Sequence, residues 1–155
     1  MDGLGARKRS WMDFYRMDGK TRFQIVASFD KGGLPQPMLW YEKKRERIDW
    51  AYSCWQKAME ETAHVPDDYV PNLNMITGTE IFAEAMGCRV HYPEGDNPFA
   101  LPCVESAAEA LRLQAPRWQD TRLAILFEMA DQLISLAGPG ALLRLPDIQS
   151  PLDIA

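Results

Sequence analysis

The segment 122–145 constrains the fold more than any other part of the chain. Leu123, Leu126, Phe127, Ala130, Leu133, Ile134 and Ala137 recur every three or four residues as one continuous apolar stripe, so 122–137 is expected to be a helix with one buried face. Gly138, Pro139 and Gly140 stop it. ALLRL (141–145) then reads as a near-continuous apolar strand, the kind buried on both faces of a parallel sheet. A helix that feeds such a strand through a short glycine turn predicts α/β architecture.

The same alternation recurs upstream. RFQIVASF (22–29) places Phe23, Ile25, Ala27 and Phe29 on one side, as a strand does, and the turn signal DKGGLP follows. Over 44–62, Ile48, Tyr52, Trp55, Met59 and Thr62 repeat at helical spacing, Ala51 and Ala58 fill the same face, and Pro66, Asp67 and Asp68 close the helix. VPNLNMI (70–76) reads as a second strand. Thr77 and Glu80 match a capping box that opens a helix over 79–86, and Ser106 with Glu109 matches another, ahead of a helix that stops before Pro116. Between them, 88–92 is expected to be a short strand or hairpin arm. The start of the chain through Gly5 is expected to be disordered, and WMDFYRM (11–17) to make a turn or two of helix. Residues 1–20 then form an N-terminal extension and 21–155 an α/β body.

With 155 residues, 46% of them hydrophobic and 25% charged, the chain has the balance of one globular domain or a large piece of one. A net charge of -5 argues against a nucleic-acid footprint. The basic runs RKR (7–9) and KKRER (43–47) read as a frayed terminus and the solvated start of a helix. No apolar run reaches the roughly 18 residues of a membrane span and no hydrophobic signal region opens the chain, so no membrane partner and a cytoplasmic location are expected. Cys54, Cys88 and Cys103, odd in number and widely spaced, fit reduced thiols.

Several chemistries find no support. GPGALL has Leu143 where a dinucleotide fingerprint needs its third glycine, and phosphate-loop, GxSxG and HExxH motifs are absent. His64 and His91 are the two histidines, and the Cys88-x-x-His91 spacing supplies only two ligands, so no metal is assigned to this chain. What remains are polar residues just after strands, where α/β proteins assemble sites from converging loops and helix N-termini. Asp30 and Lys31, then Asn74, Thr77 and Thr79, then Asp147 and Gln149 hold such positions, with Glu94 and Asp96 in the acidic loop YPEGDNP expected to overhang the same mouth. Each also reads simply as a turn former or helix cap. Asp147 is the strongest catalytic candidate, because it follows the apolar strand directly and precedes a helix start signalled by Ser150, Pro151 and Asp153.

GTEIFAEAMGCRVHYPEGDNPFALP (78–102), with the later LLRLPDIQSPLDIA (142–155), resembles the N-terminal half of the uroporphyrinogen decarboxylase superfamily. The elements that carry the likeness are a helix ending in A-x-G (AEAMG), an acidic Gly-Pro loop (YPEGDNP) and a strand leading into a segment bounded by two prolines (LPDIQSP). The resemblance covers about 72–155. It implies an eight-stranded β/α barrel of roughly 250 residues or more, of which this chain would supply the N-terminal half, as the helix signalled at Ser150 also suggests. It further implies a decarboxylase-like lyase, or a corrinoid-dependent methyltransferase whose zinc ligands lie in the other half. The expected partners are then a small-molecule substrate, a corrinoid protein in the second case, and further copies of the chain along an exposed sheet edge. True porphyrinogen decarboxylases carry an arginine-rich segment after the first strand and an aspartate ahead of the A-x-G helix; DKGGLPQP and NMITGTE have neither. A self-contained α/β binding module is the non-catalytic alternative.

Overall fold

The computed structural model describes residues 3–17, 23–27, 33–78 and 80–147. Two helices build the centre. α2 (Lys44–Thr62) turns Ile48 and Ala51 inward, and α5 (Ala124–Ala137) meets it with Met129 and Leu133. Leu73 and Met75, on and just after β1 (Asn72–Leu73), complete the cluster. Ile48, Leu73, Met129 and Leu133 are fully buried, which at about 1.5–3 kcal/mol per large side chain makes this contact the main source of stability. α5 ends at Gly138, whose φ of 87° lies in the left-handed region, as the glycine turn predicted.

The chain is mixed α/β, with two small sheets among the described residues. β1 pairs in parallel with β4 (Leu142–Leu143), Asn72 opposite Leu142 and Leu73 opposite Leu143, and Arg144 N–H continues the ladder to the Leu73 carbonyl at 2.8 Å. α3 (Glu80–Ala85) leads through Gly87 into an antiparallel hairpin of β2 (Val90–His91) and β3 (Phe99–Ala100). The acidic loop 92–98 is therefore a hairpin connection, and Gly95 (φ 74°) makes its turn. α4 (Ala107–Ala110) starts where Ser106 accepts from Glu109 N–H at 3.3 Å, but is a single turn and stops well short of Pro116.

Several expectations change. Residues 3–5 are not disordered: they begin α1 (Gly3–Tyr15), and α1 is docked rather than frayed. Arg7 of the RKR run bonds the carbonyls of Tyr69 at 3.0 Å and Thr62 at 3.1 Å, as well as that of Val65, and pairs with Asp67 at 3.2 Å, so it satisfies carbonyls at and beyond the C-terminus of α2. Trp11 Nε1 donates to the Asp68 carbonyl at 2.7 Å. Residues 23–27 of the expected first strand do not form one: the Ile25 and Ala27 N–H groups are taken by the carboxylates of Asp68 and Asp67, and the Ile25 carbonyl accepts the Asp68 N–H at 2.7 Å. The 141–145 strand keeps its parallel pairing but not its double burial. Leu142 is 44% and Leu145 81% exposed, since the described sheet is two strands wide and only one side of this segment, Ala141 and Leu143, packs against the core. No closed barrel forms among the described residues, and none of their helices is long and apolar enough to cross a membrane.

Candidate functional site

Parallel pairing sends both strands out of the sheet in one direction, so the residues after β1 and β4 meet. Asn74, Met75, Ile76 and Thr77 form one wall of a cleft of about 180 Å3, and Arg144, Leu145, Pro146 and Asp147 form the other; Gln36 and Leu39 close the third side. Three sequence candidates, Asn74, Thr77 and Asp147, thus line one cleft. Asn74 and Thr77 are half-buried and Asp147 is exposed. Glu94 and Asp96 do not line it. They are exposed in the hairpin loop, where Asp96 accepts from the Asn97 N–H at 2.7 Å as a turn former. Asp30, Lys31, Thr79 and Gln149 lie outside the described residues.

The wall of this cleft rests on a buried charge. Arg47, 2% exposed, donates to the carbonyls of Leu39, at 3.4 Å, and Ile76, both lining residues. The KKRER run is therefore not wholly solvated. Arg47 precedes Ile48 and lies one turn before Ala51, which puts it on the inward face of α2. Burial lowers its pKa, against the opposing pull of Glu80 and Tyr41.

Glu80 opens α3 directly behind Thr77 and Gly78 and is 4% exposed. The expected capping box does not form. Thr77 instead donates its hydroxyl to the Gly78 carbonyl at 2.6 Å, the Glu80 carboxylate takes its own backbone N–H, and Oε2 has no partner among the described residues. Burial raises the Glu80 carboxyl above its ordinary value, its own backbone N–H and then Arg47 hold it down, and Glu84 pushes it up again.

A polar network extends outward from this pair. Tyr41 donates to Glu84 Oε2, Arg122 approaches Glu84 at 3.5 Å and donates to the Tyr92 hydroxyl at 3.2 Å, and its guanidinium covers the Tyr41 ring at 4.3 Å. Burial, then the bond to Glu84, push the Tyr41 phenol well above the usual tyrosine range. None of Arg47, Glu80, Tyr41, Glu84, Tyr92 or Arg122 was a sequence candidate. Arg47 was the most accessible of them to sequence reasoning, through its phase on α2; the others are brought together by tertiary contacts between distant segments.

A larger hollow of about 630 Å3 lies beneath α1 at the amino ends of the same strands, lined by Trp11, Tyr15, Tyr69 and Val70 among others. Its lining has no carboxylate, thiol or imidazole, so chemistry is better placed in the smaller cleft. Among the described residues no three His, Cys, Asp or Glu side chains gather as a metal set. Comparison with protein-family models, with curated proteins and with solved structures gives no match.

Proposed function

We propose that this chain is the N-terminal part of a β/α-barrel enzyme of the uroporphyrinogen decarboxylase superfamily, acting as a carboxy-lyase on a small organic acid held in the Asn74, Thr77 and Asp147 cleft. The observation that carries the reading is the parallel β1–β4 pair with these three residues at its carboxyl ends, the position where barrel enzymes assemble their sites. Asn74 and Thr77 offer neutral hydrogen-bonding groups for orienting a substrate, and Asp147 an exposed carboxylate for moving a proton. Without the arginine-rich segment, a substrate with fewer carboxylates than a porphyrinogen fits the cleft better.

The test uses the whole gene product. Carbon dioxide release is assayed over a panel of small carboxylic acids, in parallel with methyl transfer to and from a corrinoid. Decarboxylation that falls about a hundredfold or more in kcat in Asp147→Asn, with the fold intact, is the expected result. Methyl transfer with a bound zinc would move the protein to the methyltransferase branch. Unchanged turnover in Asp147→Asn, or neither reaction, would remove the catalytic assignment in favour of a binding module.

A further inference from the structure

Two of the three thiols meet at the open end of the β2–β3 hairpin. Gly87, with φ of 101°, turns the chain out of α3, and Cys88 follows it, its N–H bound to the Ala83 carbonyl at 3.1 Å. The ladder is held beside them by Leu101 N–H on the Arg89 carbonyl at 2.8 Å and by Val90 opposite Ala100, so the segments that carry Cys88 and Cys103 leave the hairpin together. Their sulfurs lie 2.8 Å apart, both as free thiols. Cys88 is buried and Cys103 exposed; Cys54, half-buried on α2, is the third thiol.

We propose that Cys88 and Cys103 form a thiol–disulfide exchange site, with Cys103 the accessible attacking thiol, Cys88 the resolving thiol, and a low-molecular-weight disulfide of the glutathione type as co-reactant. Cys103, as thiolate, attacks one sulfur of the small disulfide; the new S–S bond forms as the old one breaks, and the first small thiol leaves. Cys88 then gives up its proton to solvent and attacks the Cys103 sulfur, expelling the second small thiol. The protein loses two electrons and the small disulfide gains them. Geometry favours the second step, since the sulfurs need to approach only from 2.8 Å to the roughly 2.05 Å of a disulfide. Burial, aided by the bond to Cys103, pushes the Cys88 thiol up to about 11, which keeps it protonated and unreactive toward outside disulfides until Cys103 is engaged. The oxidised form ties the end of α3 to the chain leaving β3. Because α3 starts at Glu80, three residues after cleft-lining Thr77, the bond restrains the helix that follows that wall of the cleft.

The experiment incubates the folded protein with oxidised glutathione, traps remaining thiols by alkylation and maps the peptides by mass. An internal Cys88–Cys103 link with Cys54 alkylated is expected. Cys88→Ser should accumulate a stable glutathione adduct on Cys103, and Cys103→Ser should leave Cys88 reacting at least tenfold more slowly than Cys103 does. Unfolding in urea should abolish this selectivity. A wild-type protein that stops at glutathionylated Cys103, links Cys54 as readily, or does not react at Cys103 would overturn the proposal.

Discussion

Replacing Arg47 by Met tests whether the buried charge holds the cleft together. Met restores the packing of the arginine stem while removing the guanidinium, so the loss isolates two contacts and one compensation. The contacts are charge-assisted hydrogen bonds to the carbonyls of Ile76 and Leu39, worth about 1.5–3 kcal/mol when well made; the 3.4 Å bond to Leu39 contributes at the low end. The compensation is the positive charge that offsets the buried Glu80 carboxylate. With two carbonyls left unpaired and the Glu80 charge unopposed, we expect a cost of about 2–5 kcal/mol at pH 7. The pH dependence identifies the cause. Glu80 has a folded-state pKa raised above its unfolded value of 4.5, so its protonation stabilises the fold fully below that value, and this gain is lost as pH rises through the folded pKa. Without Arg47 the folded pKa rises further and the window extends toward neutral pH. The penalty should therefore shrink as pH is lowered toward 5, by up to about 1.4 kcal/mol per unit while Glu80 takes up its proton. Urea unfolding at pH 7 and pH 5, read by linear extrapolation with the slope m checked for constancy, measures both quantities. A cost below about 1 kcal/mol at pH 7, or one that grows on acidification, would refute the argument.

Gly78→Ala should destabilise by about 1–3 kcal/mol, because a Cβ there collides with the buried Glu80 carboxylate; in thermal unfolding the same substitution should cost little when made in a Glu80→Ala background and compared with Glu80→Ala alone. Leu133→Ala, at a fully buried position between α5 and α2, should cost about 2–5 kcal/mol in the same assay. Tyr41→Phe should flatten the alkaline end of the stability curve. The raised phenol pKa holds its proton in the folded state while the unfolded one releases it near 10, so the wild-type loses stability as pH climbs above 10 and the variant should not lose that contribution, as melting followed from pH 8 to 11 would reveal.

Helices were legible in the sequence to the extent that their faces are apolar. The α2 bounds 44–62 and the α5 C-terminus at Ala137 agree with the periodicity, because those stripes pack on each other. The stripe misled in detail. Phe127 belonged to it but is 52% exposed, ring against ring with Trp118 at 4.0 Å, whereas Met129, outside it, is fully buried. Phase within a helix is set by the partner surface, which periodicity does not contain. Strands were read less well. Alternation at 23–27 could not reveal that Asp67 and Asp68, forty residues on, would occupy its N–H groups. The cleft was legible in part for a topological reason: residues after parallel strands converge whatever their identity, so Asn74, Thr77 and Asp147 meet although no motif links them. Arg47 and Glu80 stayed hidden because a buried charged residue has the same letter as a solvated one.

The pairing of Asn72 with Leu142 also sets an order of events during synthesis. β1 leaves the ribosome with Leu73 and Met75 ready for burial, but the α5 face that covers them is encoded about fifty-five residues later and the neighbour strand about seventy. At about 5–20 residues per second the first interval is roughly 3–11 s, during which the nascent chain holds α2 without its partner helix. Local contacts of α2 and the β2–β3 hairpin form within this interval; the parallel pair and the core cannot. The closure of β1 on β4 is non-local and therefore expected to be slow, and until it happens Leu73 and Met75 lack their cover.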